Sequence, residues 1–102
     1  MEFRSSCPIA QSLDVIGDRW TLLIMRDALL FQRRTFAEFA SSPEHIPTNL
    51  LADRLKKLVK LGLLEKIPYQ DKPLRYEYIP TDAGQKIKPL LRALRDYGQQ
   101  LG

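Results

Sequence analysis

The residues best able to make chemical contacts lie together in one short segment, residues 47–61. Asn49 can hydrogen-bond an adenine through two atoms, and Thr48 can contact a thymine methyl group. Asp53 can accept a hydrogen bond from a cytosine amino group or pair with a nearby cation. A Lys-rich helix face taken alone is more often only a solvated surface. The cations of this segment that suit phosphate oxygens are Arg54, Lys56 and Lys57.

The charge balance of the chain favours an anionic partner. Among 102 residues, 16 Lys and Arg outnumber 12 Asp and Glu, which gives a net charge of +4. The surplus is local, because residues 47–61 sum to +3 whereas residues 1–46 sum to −1. Hydrophobic residues make up 44% of the chain, which is typical of one globular domain and not of a disordered segment.

Helix boundary residues and apolar spacing predict three helices before this segment. The first begins at Cys7-Pro8, because proline suits the first turn of a helix. Asp18 can cap a second helix, which runs to about Phe31 and is apolar almost all round, as buried central helices are. Thr35–Glu38 has the form of a capping box and predicts a short third helix. The aromatic side chains expected in the core are Trp20, Phe31, Phe36 and Phe39.

The basic segment itself predicts a fourth helix, which begins near Pro47 and is stopped by Gly62. Leu51, Leu55 and Leu58 recur at helical spacing and form its inward stripe. The polar residues therefore project away from the core, where a partner can reach them.

A β-hairpin follows the fourth helix. Leu64–Pro68 and Arg75–Pro80 are rich in β-branched and aromatic residues and predict two short strands joined by a loop over residues 69–73. Lys72 and Arg75 lie at the tip, where they can contact phosphates or a minor groove. The alternative is an ordinary solvated turn, because acids and bases balance within this hairpin.

The last helix is predicted to run from a Thr81-Asp82 cap to Leu101, with Pro89 kinking or breaking it locally. Its apolar residues are spaced four and three apart, as in helices that pack along one another. The core is too small to cover five turns, so this stripe predicts packing against a second copy of the chain. The stripe consists of Ala83, Ile87, Leu90, Leu94, Tyr97 and Leu101.

This order of elements is that of a winged helix-turn-helix. A helix with its side chains is about 10–12 Å wide and fits the major groove of B-DNA, which is about 12 Å wide. We therefore predict an α+β fold that is mainly α: a winged helix-turn-helix with a two-stranded β-hairpin wing and a C-terminal dimerisation helix.

Four segments of the chain, taken in order, carry a more specific pattern. They are CPIAQSLDVIGDRWTLLIM, RTFAEF, IPTNLLADRLKKLVKLGLLEK and YQDKPLRYEYIPTDAG. Together they resemble the HxlR-type winged helix-turn-helix transcriptional regulators of the MarR-like superfamily, from Cys7 to about Gly98. The resemblance implies a dimeric bacterial or archaeal DNA-binding regulator without catalysis.

Pattern and resemblance together predict one domain. Residues 7–102 form the DNA-binding domain, residues 1–6 an N-terminal arm, and residues 82–101 the dimerisation helix. The function predicted is sequence-specific binding of a homodimer to double-stranded DNA at a palindromic operator, with half-sites about 10–10.5 bp apart. The alternative is a winged-helix module that binds protein and not DNA.

The DNA contacts predicted from the sequence fall into two groups. Thr48, Asn49, Asp53 and Lys56 are expected in the major groove. The backbone and wing contacts are expected from Arg54, Lys57, Lys72 and Arg75, although Arg54 is also close enough to the buried stripe to be structural.

Cys7 is the single cysteine of the chain. At a helix N-terminus the backbone dipole stabilises a thiolate. Some members of the family that the chain resembles sense oxidants, quinones or aldehydes through the matching cysteine, which makes a sensing role one interpretation of Cys7. An internal disulfide is excluded, which leaves an intersubunit disulfide, a mixed disulfide or alkylation. The alternative is a capping or core residue that is buried and inert.

Other function classes find little support in the sequence. There is no nucleophile motif, phosphate-binding glycine loop or metal-ligand cluster, so we expect neither an enzyme nor a cofactor or metal. No apolar run could span a membrane, and the first residues lack an apolar signal core, which argues for a cytoplasmic protein. A small-molecule or oxidant effector is compatible with the sequence but not required by it.

Overall fold

The computed structural model describes residues 2–102, and this part of the chain forms six helices and one two-stranded antiparallel sheet. Three helices, a fourth amphipathic helix and a hairpin follow one another, so the predicted winged helix-turn-helix fold is confirmed. The elements are α1 (Pro8–Ile16), α2 (Arg19–Leu30), α3 (Phe36–Ala40), α4 (Thr48–Lys60), β1 (Leu64–Asp71), β2 (Leu74–Pro80), α5 (Asp82–Gln85) and α6 (Lys88–Gln99).

The core is built around α2, as its apolar composition predicts. Met25 and Ala28 of α2 are almost fully buried against the leucine stripe of α4. The three leucines of that stripe are each at most 1% exposed, which confirms that α4 turns this face inward. Ile24 and Leu29 of α2 also belong to the core. The other core side chains come from α3, from β1, from α6 and from the turn before α4: Phe39, Leu64, Leu91 and Ile46.

Local signals set the helix boundaries where the sequence predicts them. The Asp18 carboxylate accepts hydrogen bonds from the first-turn amides of α2. Thr35 and Glu38 form the reciprocal capping box at the start of α3. Gly62, which follows α4, has a φ of +76°, a left-handed conformation that costs glycine little and other residues more.

The turn between α3 and α4 is held by an ion-pair network on α2. Arg26 donates two hydrogen bonds to the Glu44 carboxylate at 2.7 and 2.8 Å, and further bonds to Asp27 and Ser42. The bonds from Arg26 lower the pKa of Glu44 to about 2, so this carboxylate stays charged in all but strong acid. The network therefore fixes the point at which the chain enters α4.

The hairpin differs from the prediction at its tip. β1 continues to Asp71, so only Lys72 and Pro73 connect the strands and the predicted loop over residues 69–73 is wrong. An irregularity between Pro68 and Gln70 explains the difference, because the extra residue shifts the register and pairing then resumes toward the tip.

The predicted last helix is divided into α5 and α6 by a turn at Lys86 and Ile87. Pro89 has no backbone N–H to donate to the carbonyl of Gln85, so the helix cannot continue unbroken through this point. The predicted local break is confirmed. Gly84 of α5 lies so close to the Leu63 carbonyl that a Cβ at this position would overlap the carbonyl oxygen.

Two of the four aromatic side chains expected in the core lie outside it. Phe39 is 1% exposed and Trp20 is partly buried, but Phe31 is 58% exposed and Phe36 is 37% exposed. Phe31 lies beyond the last residue of α2, under the Arg26 guanidinium, and Phe36 begins α3 on the side that faces the hairpin. Helical spacing could not predict that the rings of Phe31 and Phe36 are exposed, because both residues lie at helix ends.

Candidate nucleic-acid interface

The exposed face of α4 begins with two uncharged polar side chains. Thr48 and Asn49 occupy the first turn and are exposed. In residues 2–102 neither side chain makes a hydrogen bond, so both are free to pair with an incoming group. Ala52, one turn further along the exposed face, adds no bulk that would block approach to them.

Asp18, the N-cap of α2, contacts two cations of α4. Its carboxylate accepts a 2.9 Å hydrogen bond from Arg54 Nε and lies 3.7 Å from Lys57 Nζ. It also accepts bonds from Thr21 while capping α2. Burial raises the pKa of the Asp18 carboxyl, but the bonds from Thr21 and Arg54 outweigh burial and hold that pKa well below its ordinary value.

This arrangement bears on the alternatives left open for two α4 residues. Arg54 donates to both Asp18 and Asp53, and its side chain is only 22% exposed. Asp53 is thereby paired with a cation of its own helix. The geometry favours the structural role for Arg54 and the cation-pairing role for Asp53.

The other predicted cations of the surface differ in how freely they project. Lys56 is exposed and Lys57 is half-buried beside Asp18. Lys72 and Arg75 are exposed at the hairpin tip. Within residues 2–102, ion pairs involve Lys57 but not Lys56, Lys72 or Arg75, so an external anion can pair with these last three without displacing a carboxylate.

A groove of about 440 Å³ separates α4 from the hairpin and contains a cation that the sequence reasoning missed. Lys66 lines this groove opposite Lys56, with its ammonium 4.2 Å from the centre of the Tyr76 ring. The total charge of the hairpin is balanced and so does not reveal this lysine. Strand alternation was the available signal, because Lys66 is two residues from the buried Leu64 and so shares its face.

Cys7 is the N-cap of α1 and is exposed. Its backbone amide donates to Ser5 Oγ at 3.0 Å, and its carbonyl accepts from the Gln11 amide at 2.9 Å. The alternative of a buried core cysteine is therefore wrong. Cys7 does occupy the capping position of the other alternative, although its side chain makes no capping hydrogen bond.

Two further observations concern metal binding and membrane insertion. Over the residues that the structure describes, no three His, Cys, Asp or Glu side chains come together as a metal-binding group. Over the same residues, no helix is both long enough and apolar enough to pass through a bilayer.

Comparison with known proteins gives consistent matches. A family model described as HxlR-like helix-turn-helix matches residues 15–102. MT3179 of Mycobacterium tuberculosis, an uncharacterized HTH-type transcriptional regulator, is 38% identical over 92 residues, which are 90% of this chain and 57% of that protein. The chain thus spans little more than half the length of this relative.

Solved structures match over most of the chain. The crystal structure of PA1607, a candidate transcription factor, has 40% identity and a TM-score of 0.83, covering 95% of this chain and 66% of that one. The redox regulator HypR in its oxidized form has 26% identity and a TM-score of 0.78, covering 92% of this chain and 96% of that one.

The Asp18 junction predicts a pH-dependent loss of stability. Asp18→Asn keeps an oxygen that can cap α2 but removes the charge facing Arg54, so we expect the free energy of unfolding at pH 7 to fall by about 1–2 kcal/mol. Because folding lowers the pKa of Asp18, its contribution is present above the ordinary Asp value of about 3.9 and is lost as the pH falls below it.

Urea unfolding of the unaltered protein and of Asp18→Asn between pH 7 and pH 3 tests this prediction. The gap between their free energies of unfolding should become smaller as the pH falls. Asp14→Asn, on the exposed side of α1, is the matched control and should change stability by less than about 0.5 kcal/mol. A gap that stays constant down to pH 3 would show that the charge of Asp18 does not stabilise the fold.

Proposed function

Because the chain belongs to the HxlR-like helix-turn-helix family, we propose that it is a transcriptional regulator that binds double-stranded DNA through α4. The observation that carries the proposal is the division of α4 into a buried leucine stripe and an exposed face that begins with free polar side chains. A helix held by one face and open at its N-terminal end is the geometry with which helix-turn-helix proteins enter the major groove. Such a regulator acts on the chromosome, in the cytoplasm.

The residues of this surface then have distinct roles. Thr48 and Asn49 contact base edges, where an amide can bond adenine and a threonine methyl can meet thymine. Lys72 and Arg75 bring the hairpin to the phosphate backbone or the minor groove. The remaining α4 residues have supporting roles. Arg54 and Lys57 orient the helix through Asp18, Asp53 pairs with Arg54, and Lys56 supplies an unpaired cation.

The base-contact assignment predicts a loss of sequence preference. We expect Thr48→Ala with Asn49→Ala to lower the affinity for a duplex enriched from a random pool, by about 1–3 kcal/mol for each base that is no longer recognised. Affinity for duplexes of random sequence should change little, because phosphate contacts remain. Fluorescence anisotropy with both duplexes measures the two affinities.

Gln99→Ala, at an exposed position near the end of α6 and so on a different element from α4, is a control for nonspecific effects of substitution. Unchanged discrimination between the two duplexes in the Thr48 and Asn49 variant would disprove the base contacts. Absence of DNA binding by the unaltered protein would instead favour a protein-binding module.

The proposed DNA-binding unit is a homodimer formed through α6. Of the α6 side chains only Leu91 is buried within the chain, whereas Leu94 is 46% exposed and Tyr97 is 63% exposed. Leu90 and Leu101 are exposed on the same stripe. A second copy related by a two-fold axis would cover the stripe and present two α4 helices, which suits a palindromic operator.

The dimer proposal predicts that a charge on the stripe separates the subunits. Leu94→Asp should convert a species of twice the chain mass into a monomer, because a buried unpaired carboxylate is costly. Sedimentation velocity at micromolar concentration gives the mass. Gln99→Asp, on another side of α6, adds the same charge and should remain dimeric, and a monomeric unaltered protein would rule out the interface.

We also propose that DNA binding responds to oxidants or electrophiles through Cys7. Its exposure and its place at a helix N-terminus support this, and one of the similar solved structures is the redox regulator HypR. Reaction of the thiolate with a quinone would form a carbon–sulfur bond, and diamide would couple two thiols in a disulfide while being reduced to the hydrazine.

The cysteine proposal is tested by DNA release. We expect diamide or quinone to release DNA from the unaltered protein and to leave the Cys7→Ser complex intact, as followed by gel shift. Ser6→Ala, at the exposed neighbouring position, keeps both the thiol and the Ser5 bond to the Cys7 amide and serves as the control variant. Equal release from the Cys7→Ser protein would remove Cys7 as the sensor.

A further inference from the structure

Three charges near the base of the hairpin are sorted by face, although the charges of the whole hairpin cancel. The strand register places Lys66 opposite Tyr78 on the face that carries the buried Leu64. Glu65 and Glu77 pair with isoleucines on the other face. Since successive side chains of a strand point to opposite sides, the face toward α4 carries a cation while both of these carboxylates point away.

Lys66 is held in place without being neutralised. Its ammonium lies 4.2 Å from the centre of the Tyr76 ring and 6.0 Å from that of Tyr78. The Tyr78 ring in turn meets Phe39 of the core edge to face, with centroids 6.4 Å apart. Aromatic rings position a cation through their quadrupole without supplying a counter-charge, whereas the carboxylates beside Arg54 offset its charge.

Lys56 faces the same groove from α4. The side chains lining the groove are Phe36, Ala52, Lys56, Val59, Lys66 and Tyr78, and none of these six carries a negative charge. Two cations on opposite walls of an open groove attract an anion that runs between them. A phosphodiester strand meets this requirement, because its charges repeat along its length and need no fixed sequence.

We propose that Lys56 and Lys66 form a phosphate clamp that holds one strand of the DNA backbone in the groove between α4 and the hairpin. The proposal rests on the proposed DNA-binding function and extends it, because it assigns Lys56 to the backbone and adds Lys66 to the interface. The Tyr76 and Tyr78 rings beside Lys66 position its ammonium on the hairpin side of the groove.

The clamp is tested by the salt dependence of DNA binding. Anisotropy titrations over a range of salt concentrations use two labelled duplexes, one of random sequence and one enriched from a random pool. We expect Lys66→Gln to reduce the slope of log K against log salt by about 1 on both duplexes, since each phosphate that the protein neutralises releases about one counterion. The Lys56→Gln/Lys66→Gln double variant should reduce the slope by about 2.

Lys86→Gln is the matched control, because it removes one exposed lysine at the turn between α5 and α6. It should leave the slope close to that of the unaltered protein. Circular dichroism checks that each variant is folded, and Lys66 is exposed, so its replacement leaves the core intact.

The outcomes separate the clamp from the function on which it rests. If the unaltered protein binds and Lys66→Gln has the slope of Lys86→Gln, the clamp is wrong and DNA binding stands. A loss confined to the enriched duplex would mean that Lys66 contacts bases, which also overturns the clamp. If the unaltered protein binds neither duplex, the proposed function fails and the clamp fails with it.

Discussion

The position of α4 in this domain depends on one carboxylate, that of Asp18, which connects α4 to α2. It caps α2, the buried centre of the fold, and the same two oxygens receive Arg54 and Lys57 from α4. The leucine stripe of α4 fixes which face is buried, but apolar contacts are not directional. The ion pair adds direction, because a guanidinium and a carboxylate must meet at hydrogen-bond distance. The orientation of the exposed face of α4 therefore depends on a residue outside that helix.

The cations of the domain include two populations that differ in whether a carboxylate is paired with them. Arg26, Arg54 and, in part, Lys57 are paired with carboxylates and hold elements together. Lys56 and Lys66 project into a groove whose lining carries no acidic side chain. The net charge of +4 understates this contrast, since it counts both populations alike. A polyanion would meet the unpaired cations, and two of these, Lys56 and Lys66, lie on different elements that packing brings to one groove.

The apolar surface is divided in a similar way. α2, α3, α4 and β1 each contribute fully buried side chains to one core, whereas α6 contributes Leu91 to it and leaves its other apolar residues exposed. α1 likewise exposes Ile9 and Leu13. One small domain cannot cover both faces of every helix, because its interior holds few layers of side chains. The uncovered stripe on α6 is the feature on which the proposed homodimer rests.

Much of the fold followed from the sequence by itself, because its signals act over a single turn or strand. The caps at Asp18 and Thr35, the stop at Gly62 and the break at Pro89 are decided by neighbouring residues, and the leucine spacing of α4 selects its buried face. Tertiary structure alone decided the state of the charged residues. Arg54 meets a carboxylate 36 positions away in the chain, and Lys66 faces Lys56 only because the hairpin packs beside α4. Composition and periodicity report which residues are charged and which side of an element they occupy. Whether a charge is paired or free depends on distances between elements, and those distances exist only in the folded chain.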